Sequence, residues 1–339
     1  MSVRFLLLVL LFFSTIASSE EYELGQGYKV NDALNIGAYF SLDYAYGKNV
    51  NKTRLDDVAV LAYGALAPKV SYFAELEAAP LYVKDFKNDT SEFNERFYVE
   101  RAYFNYLYSD HLNFRAGKFI TPIGYWNLIP INVLRDTSSN PLYSYRIFPK
   151  FVSGVDLSGY TDEEGSLTYH LYLQATDDID EDYINIKNDF FTGVALSYDI
   201  NCEYNIGASV GYFEAKKGLL VEESRKDVTF VQLNAKYDNY PYLLQTEWAY
   251  SDIENKTYKR DDYQFGGYLQ GMYNFNEKHA LVGRYEYFKD TQISFQEESN
   301  IGVIGYSYRP LYAISIKGEY QFHSNSTLSK ALLSLSVLF

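Results

Sequence analysis

The sequence predicts an all-β chain that closes into a transmembrane antiparallel β-barrel of about sixteen strands, with one long loop folded inward. Three observations carry that prediction: an apolar leader, a large aromatic excess, and a regular alternation of short turns with long polar loops. The leader is residues 1–19, read as a signal peptide. Arg4 is followed by the apolar run Phe5 to Phe13, then by the small residues Ala17 and Ser19 ahead of a cut at Glu20. That run is too short to cross about 30 Å of hydrocarbon as a helix. The expected mature chain, 20–339, is one barrel domain, and loss of Arg4 moves the formal net charge from -14 to -15.

Thirty-six tyrosines and 23 phenylalanines stand beside two methionines and one cysteine. A tyrosine ring accepts an apolar surface while its hydroxyl stays wet, which suits strands and the two water interfaces of a membrane. A lone Cys202 excludes a disulfide framework.

After a polar lead from Glu20 to Ala33, LNIGAYFSLDYAY alternates as a two-sided strand, with Ile36, Ala38, Phe40, Leu42 and Tyr44 on one face. The polar stretch GKNVNKTRLD is expected as a loop before a second strand near Val58 to Leu66, and Ala67-Pro68-Lys69 turns the chain into VSYFAELEA. Pro80 ends that strand. A charged loop through Lys87, Asp89 and Glu92 precedes ERFYVERAYFNYLY, and Ser109-Asp110-His111 turns it into LNFRAGKF.

Next comes ITPIGYWNLIPINVLRDTSSNPLYSYRIFPK, Ile120 to Lys150, which holds Pro122, Pro130, Pro141 and Pro149, four of the chain's eight prolines. They forbid a regular helix or a central strand there. An irregular loop of about 30 residues inside a compact domain is usually functional. It is expected to fold into the barrel and narrow a pore.

Beyond Lys150 the rhythm resumes through VSGVDLSGY, SLTYHLYLQAT, FFTGVALSYDI, EYNIGASVGYFEA, VTFVQLNAKY, YLLQTEWAYS, YQFGGYLQGMYNF, ALVGRYEYF, SNIGVIGYSY, AISIKGEYQF and LSKALLSLSVLF. Long polar segments follow odd-numbered strands and short turns follow even ones, as in a barrel that keeps its short turns on one side of a membrane. No proline falls inside a strand in this parse. In AISIKGEYQF, Ile314, Ile316, Tyr320 and Phe322 share one face against Ser315, Lys317, Glu319 and Gln321. A secreted sandwich would alternate in the same way with its apolar face inward.

The chain ends on Phe339, with Val337, Leu335, Leu333 and Ala331 alternating with polar residues before it. In this the sequence resembles Gram-negative outer-membrane proteins, whose last strand carries a terminal aromatic read by the barrel-insertion machinery. The segment FRAGKFITPIGYWN, Phe114 to Asn127, resembles the strand-to-loop junction of porins, nearest to the phosphate-selective type, although no lysine-rich ladder accompanies it. The resemblance implies an outer-membrane porin passing small hydrophilic solutes or ions by passive diffusion. It further implies a homotrimer, and contact with outer-membrane lipid and lipopolysaccharide.

Candidate pore-constriction residues are Arg101, Arg115 and Lys118 on strands, and Arg135, Asp136, Arg146 and Lys150 on the loop, whose balance is +2. Charge at the narrowest section sets selectivity more directly than total charge, so the eyelet is expected to favour anions or polar neutral solutes. The opposing reading has these cations satisfying loop carbonyls and carboxylates. Asp177, Asp178, Asp180, Glu181 and Asp182 read as a solvated surface loop, bridged through cations to lipopolysaccharide. The four histidines show no metal spacing, and no serine elbow or phosphate-binding glycine loop is present. No metal, cofactor, nucleic acid or catalysed reaction is expected. The alternative is a barrel with a closed lumen, serving as an adhesin or structural protein.

Overall fold

The computed structural model describes residues 22–78, 80–161, 166–216, 226–255, 260–292 and 296–339; the expected signal peptide lies outside them. Sixteen long strands form the wall: β1 Leu34–Gly47, β2 Asn51–Ala67, β3 Val70–Ala78, β4 Tyr98–Ser109, β5 Leu112–Ile120, β6 Phe151–Tyr160, β7 Leu167–Gln174 and β8 Asn188–Asp199 make the first half. The second half is β9 Tyr204–Ala215, β10 Lys226–Asn239, β11 Tyr242–Asn255, β12 Arg260–Asn276, β13 His279–Asp290, β14 Glu297–Leu311, β15 Ile314–His323 and β16 Lys330–Leu338. Each strand pairs antiparallel with the next, and β16 returns to β1 in the register Lys330↔Gly47 to Leu338↔Tyr39. Closure leaves the wall without an edge, the only state in which strands can stand in hydrocarbon. The Phe339 amide donates to the Ala38 carbonyl at 2.7 Å, so the terminal residue sits in the seam.

The apolar face points out. On β15, Ile316 and Phe322 are 46% and 55% exposed while Ser315 and Lys317 are 0% and 2% exposed. A sandwich requires the reverse, so the faces exclude it. Exposed aromatics gather at the short-turn ends of the strands, among them Tyr108, Tyr160, Tyr204, Tyr242, Phe275 and Tyr312, as a membrane interface requires.

Three details differ from the sequence reading. The stretch GKNVNKTRLD is mostly strand, because Asn51 to Asp56 pairs with Tyr46 to Ser41 of β1, and a hairpin of Tyr82–Asp85 and Thr90–Phe93 pairs with Lys52 to Leu55 on its other edge. Pro310 falls inside β14, at the register shift between Tyr308 and Leu311, where a missing amide costs no ladder bond. In the acidic segment between β7 and β8, Asp178 and Asp180 turn inward, while Asp177 and Asp182 stay exposed as expected.

The segment between Ile120 and Lys150 enters the lumen, with short 3-10 turns at Asn132–Leu134 and Leu142–Tyr145. One face of it packs into an aromatic core. Ile123, Tyr143, Ile147 and Phe148 of the loop join Phe119, Tyr172, Phe191, Phe213, Phe230, Tyr268 and Phe288 of the wall between β5 and β13.

Candidate functional site

Hydrogen bonds among Thr121, Asn127, Pro149 and Lys150 close the loop at its base. The Thr121 amide donates to the Lys150 carbonyl at 2.9 Å, the Thr121 hydroxyl to the Pro149 carbonyl at 2.6 Å, and the Asn127 amide side chain to the Thr121 carbonyl at 2.7 Å. A proline-rich chain inside a barrel has backbone groups without a ladder partner, and these must find others. Charged side chains on the lumen face of the wall supply them. Glu247, fully buried on β11, accepts from the Tyr125 and Trp126 amides at 3.0 and 2.8 Å, and from the hydroxyls of Tyr143 and Tyr268. Glu286 and Glu319 accept from the Leu142 and Ser138 amides, each at 3.0 Å.

The carbonyls are met by cations. Arg309 donates to the carbonyls of Val133 and Arg135 at 2.6 and 2.7 Å, Arg284 to the Ser139 carbonyl at 3.0 Å, and Lys317 to Asn132. Two guanidinium groups approach the Trp126 ring, Arg284 at 5.0 Å and Arg135 at 5.7 Å from its centre. The turn into this arrangement needs Gly124, whose φ is +67° and whose added Cβ would meet the Glu247 carboxylate at 1.8 Å. Burial pushes the Tyr143 hydroxyl well above its ordinary range, with Glu247 adding to it. It also pushes the Asp136 carboxyl up, against the pull of Arg309, Lys317 and Arg284.

The other face of the loop borders a chamber of about 320 Å³, walled by β1 to β4. Asp43, Arg54, Asp56, Asp57, Glu77 and Glu100 face it from the wall, and Asn132, Arg135, Asn140 and Lys150 from the loop. A second loop closes one side. Asp178 and Asp180 bind Lys118, whose ammonium is 2.7 Å from the Asp178 carboxylate and 3.1 Å from the Asp180 carbonyl, and Tyr183 donates to Glu77 at 2.5 Å. Two of the acidic residues expected at the surface, Asp178 and Asp180, therefore anchor an inward fold on the fully buried Lys118, while Asp177 and Asp182 stay exposed beside Lys216 and Arg96.

The seven expected constriction residues divide. Arg135 and Lys150 border the chamber. Arg101 stands behind it, bonded to Glu75, which also accepts from Tyr39 at 2.6 Å. Arg115 faces inward on β5 but lies over Tyr103 at 4.3 Å and donates to Asn105 at 2.8 Å, nearer the short-turn side. Lys118 holds the second loop. Asp136 accepts from Gln270 at 3.0 Å, and Arg146 reaches Glu297 at 3.4 Å over Phe288, both on the far side of the loop. The sequence reading missed the wall carboxylates and the anchors Glu247, Arg284, Glu286, Arg309, Lys317 and Glu319. Inward parity on alternating strands was the signal that could have found them.

The family described as "Putative beta-barrel porin-2, OmpL-like" matches residues 21–329. No curated protein matches the sequence. Among solved structures, the trimer form of OmpT of Vibrio cholerae shares 9% identity over 91% of this chain and 98% of its own, with a TM-score of 0.64. An anion-selective porin from Comamonas acidovorans shares 10% over 91% and 99%, with a TM-score of 0.59. OmpF of Salmonella typhi, solved with daunomycin, shares 13% over 90% and 97%, with a TM-score of 0.58. At those identities the likeness speaks for the fold alone. The family match spans nearly the whole described barrel, and with its closed wall and inward loop this chain belongs to the OmpL-like β-barrel porins of the Gram-negative outer membrane.

Proposed function

We propose that small hydrophilic solutes and ions cross this porin by passive diffusion through the chamber between the Ile120–Lys150 loop and the wall of β1 to β4. The carrying observation is that chamber: a polar cavity of about 320 Å³ beside a loop whose other face is packed solid. In this reading Arg135 and Lys150 form the loop side of the constriction, and Arg101 supports its wall. Arg115, Lys118, Asp136 and Arg146 hold the surroundings in place. In this reading the chain acts as a channel and catalyses no reaction. A homotrimer fits the trimer form of the structurally similar OmpT. Outer-membrane lipid and lipopolysaccharide would meet the apolar exterior, and the insertion machinery would read the strand ending at Phe339.

The packed half of the lumen favours a second reading, a closed structural barrel. Conductance of the refolded protein in a planar bilayer separates the two. Stepwise openings are expected; insertion without current would remove the diffusion reading. Light scattering of the detergent-solubilised protein tests the trimer.

A further inference from the structure

The expected anion preference rested on the basic residues of the loop, and their partners reverse the balance. Arg135 is committed to the Ile129 carbonyl and the Asn140 side chain, both at 2.7 Å. Arg54 lies 3.5 Å from Asp56, and Lys150 lies 3.4 Å from Glu100. Against these three cations the chamber presents five carboxylates, Asp43, Asp56, Asp57, Glu77 and Glu100. One Asp43 oxygen is buried without a hydrogen-bond partner.

The wall is built to place them. In a regular strand consecutive side chains face opposite sides, so a pair such as Asp56-Asp57 could put only one carboxylate inward. The β1–β2 register shifts between Tyr39↔Ala59 and Ser41↔Asp56, inserting one residue into β2, and Asp57 sits in that bulge with φ +49°. Both carboxylates then line the chamber. A second bulge lies on the neighbouring wall, where Glu75 pairs with Arg101 and Leu76 with Val99, leaving Glu100 as the extra residue, also facing in. Two separate departures from strand geometry thus each add an acid to one cavity, and bulges are a device for re-aiming side chains.

We propose that the chamber is a cation-preferring filter, set by the carboxylates of the Asp56-Asp57 bulge, and that the favoured solutes are small cations and ammonium-bearing molecules. This rests on the reading of the barrel as an open channel. In a narrow, water-poor section an excess of fixed negative charge concentrates cations and repels anions.

The test is the reversal potential of the full refolded barrel under a potassium chloride gradient, first unaltered and then as Asp56→Asn with Asp57→Asn. Asparagine keeps the side-chain size and tolerates positive φ. Potassium is expected to be more permeant than chloride, and the double variant to lower that permeability ratio at least about two-fold. Asp89→Asn, on the exposed outer hairpin, removes charge outside the chamber and is expected to leave the ratio unchanged. Should the double variant not fold, Asp57→Gly keeps the bulge conformation and is expected to lower the ratio alone. A conducting barrel that prefers chloride overturns this inference and leaves the channel standing. An unchanged ratio in the folded variants overturns the role of the bulge. Insertion without current overturns the channel reading and this inference with it.

Discussion

Between β5 and β13 the barrel interior is an aromatic core in which Phe148 meets Phe230 at 5.6 Å and Phe191 meets Phe213 at 5.9 Å, whereas between β1 and β4 it is a charged chamber. The same loop faces both. Its apolar side is held by burial, worth roughly 1.5–3 kcal/mol for each large side chain. Wall ions on β11 and β13 to β15 capture its backbone groups, and its chamber face carries Asn132, Arg135, Asn140 and Lys150 beside open space. The loop behaves as core on one face and borders a polar cavity on the other, so the path proposed above runs on the side of β1 to β4.

The largest effect is expected where the two regimes meet, at Glu247. Glu247→Leu strands two amides and two tyrosine hydroxyls, at a cost of about 3–5 kcal/mol to the loop's attachment. Single-channel conductance should rise several-fold as the loop leaves the wall. Unchanged conductance would mean that the aromatic core alone holds it. Phe148→Ala attacks the core side directly, with about 3–5 kcal/mol lost to the cavity left behind, read as a lower midpoint of thermal unfolding.

The second inward loop gives a somewhat smaller test. Lys118→Met leaves Asp178 buried without its cation, and protease should then cut between Gln174 and Asn188 faster than in the parent protein, by about tenfold. On the outer surface, Leu269→Lys should destabilise the barrel by about 2–4 kcal/mol in lipid vesicles. The exposed turn residue Cys202 is expected to accept a thiol reagent from the short-turn side with no change in stability.

Much of the wall was legible because a strand writes its two faces into alternate residues. The sixteen strands, the turn parity and the inward loop all follow from that period and from the spacing of the prolines. The constriction was less so. Arg135 and Lys150 reach the chamber, but Asp56 and Asp57 lie at the end of a stretch whose polar composition reads as loop, and its pairing with β1, with the bulge that turns both inward, is not written in that composition. Lys118 reads as an eyelet cation on parity alone; its partner, Asp178, lies sixty positions away and reads as a surface acid.

The sequence by itself determined that this chain crosses the outer membrane as a barrel with apolar residues outside and polar ones inside, since local alternation and interface aromatics need no knowledge of contacts. The tertiary structure alone decided which lumen charges face water and which tie down a loop. That choice depends on pairs far apart in the chain, such as Glu247 with Trp126 and Lys317 with Asn132, and on two bulges that shift register by one residue. A shift of one residue reverses which side chains face the pore, and no local pattern announces it.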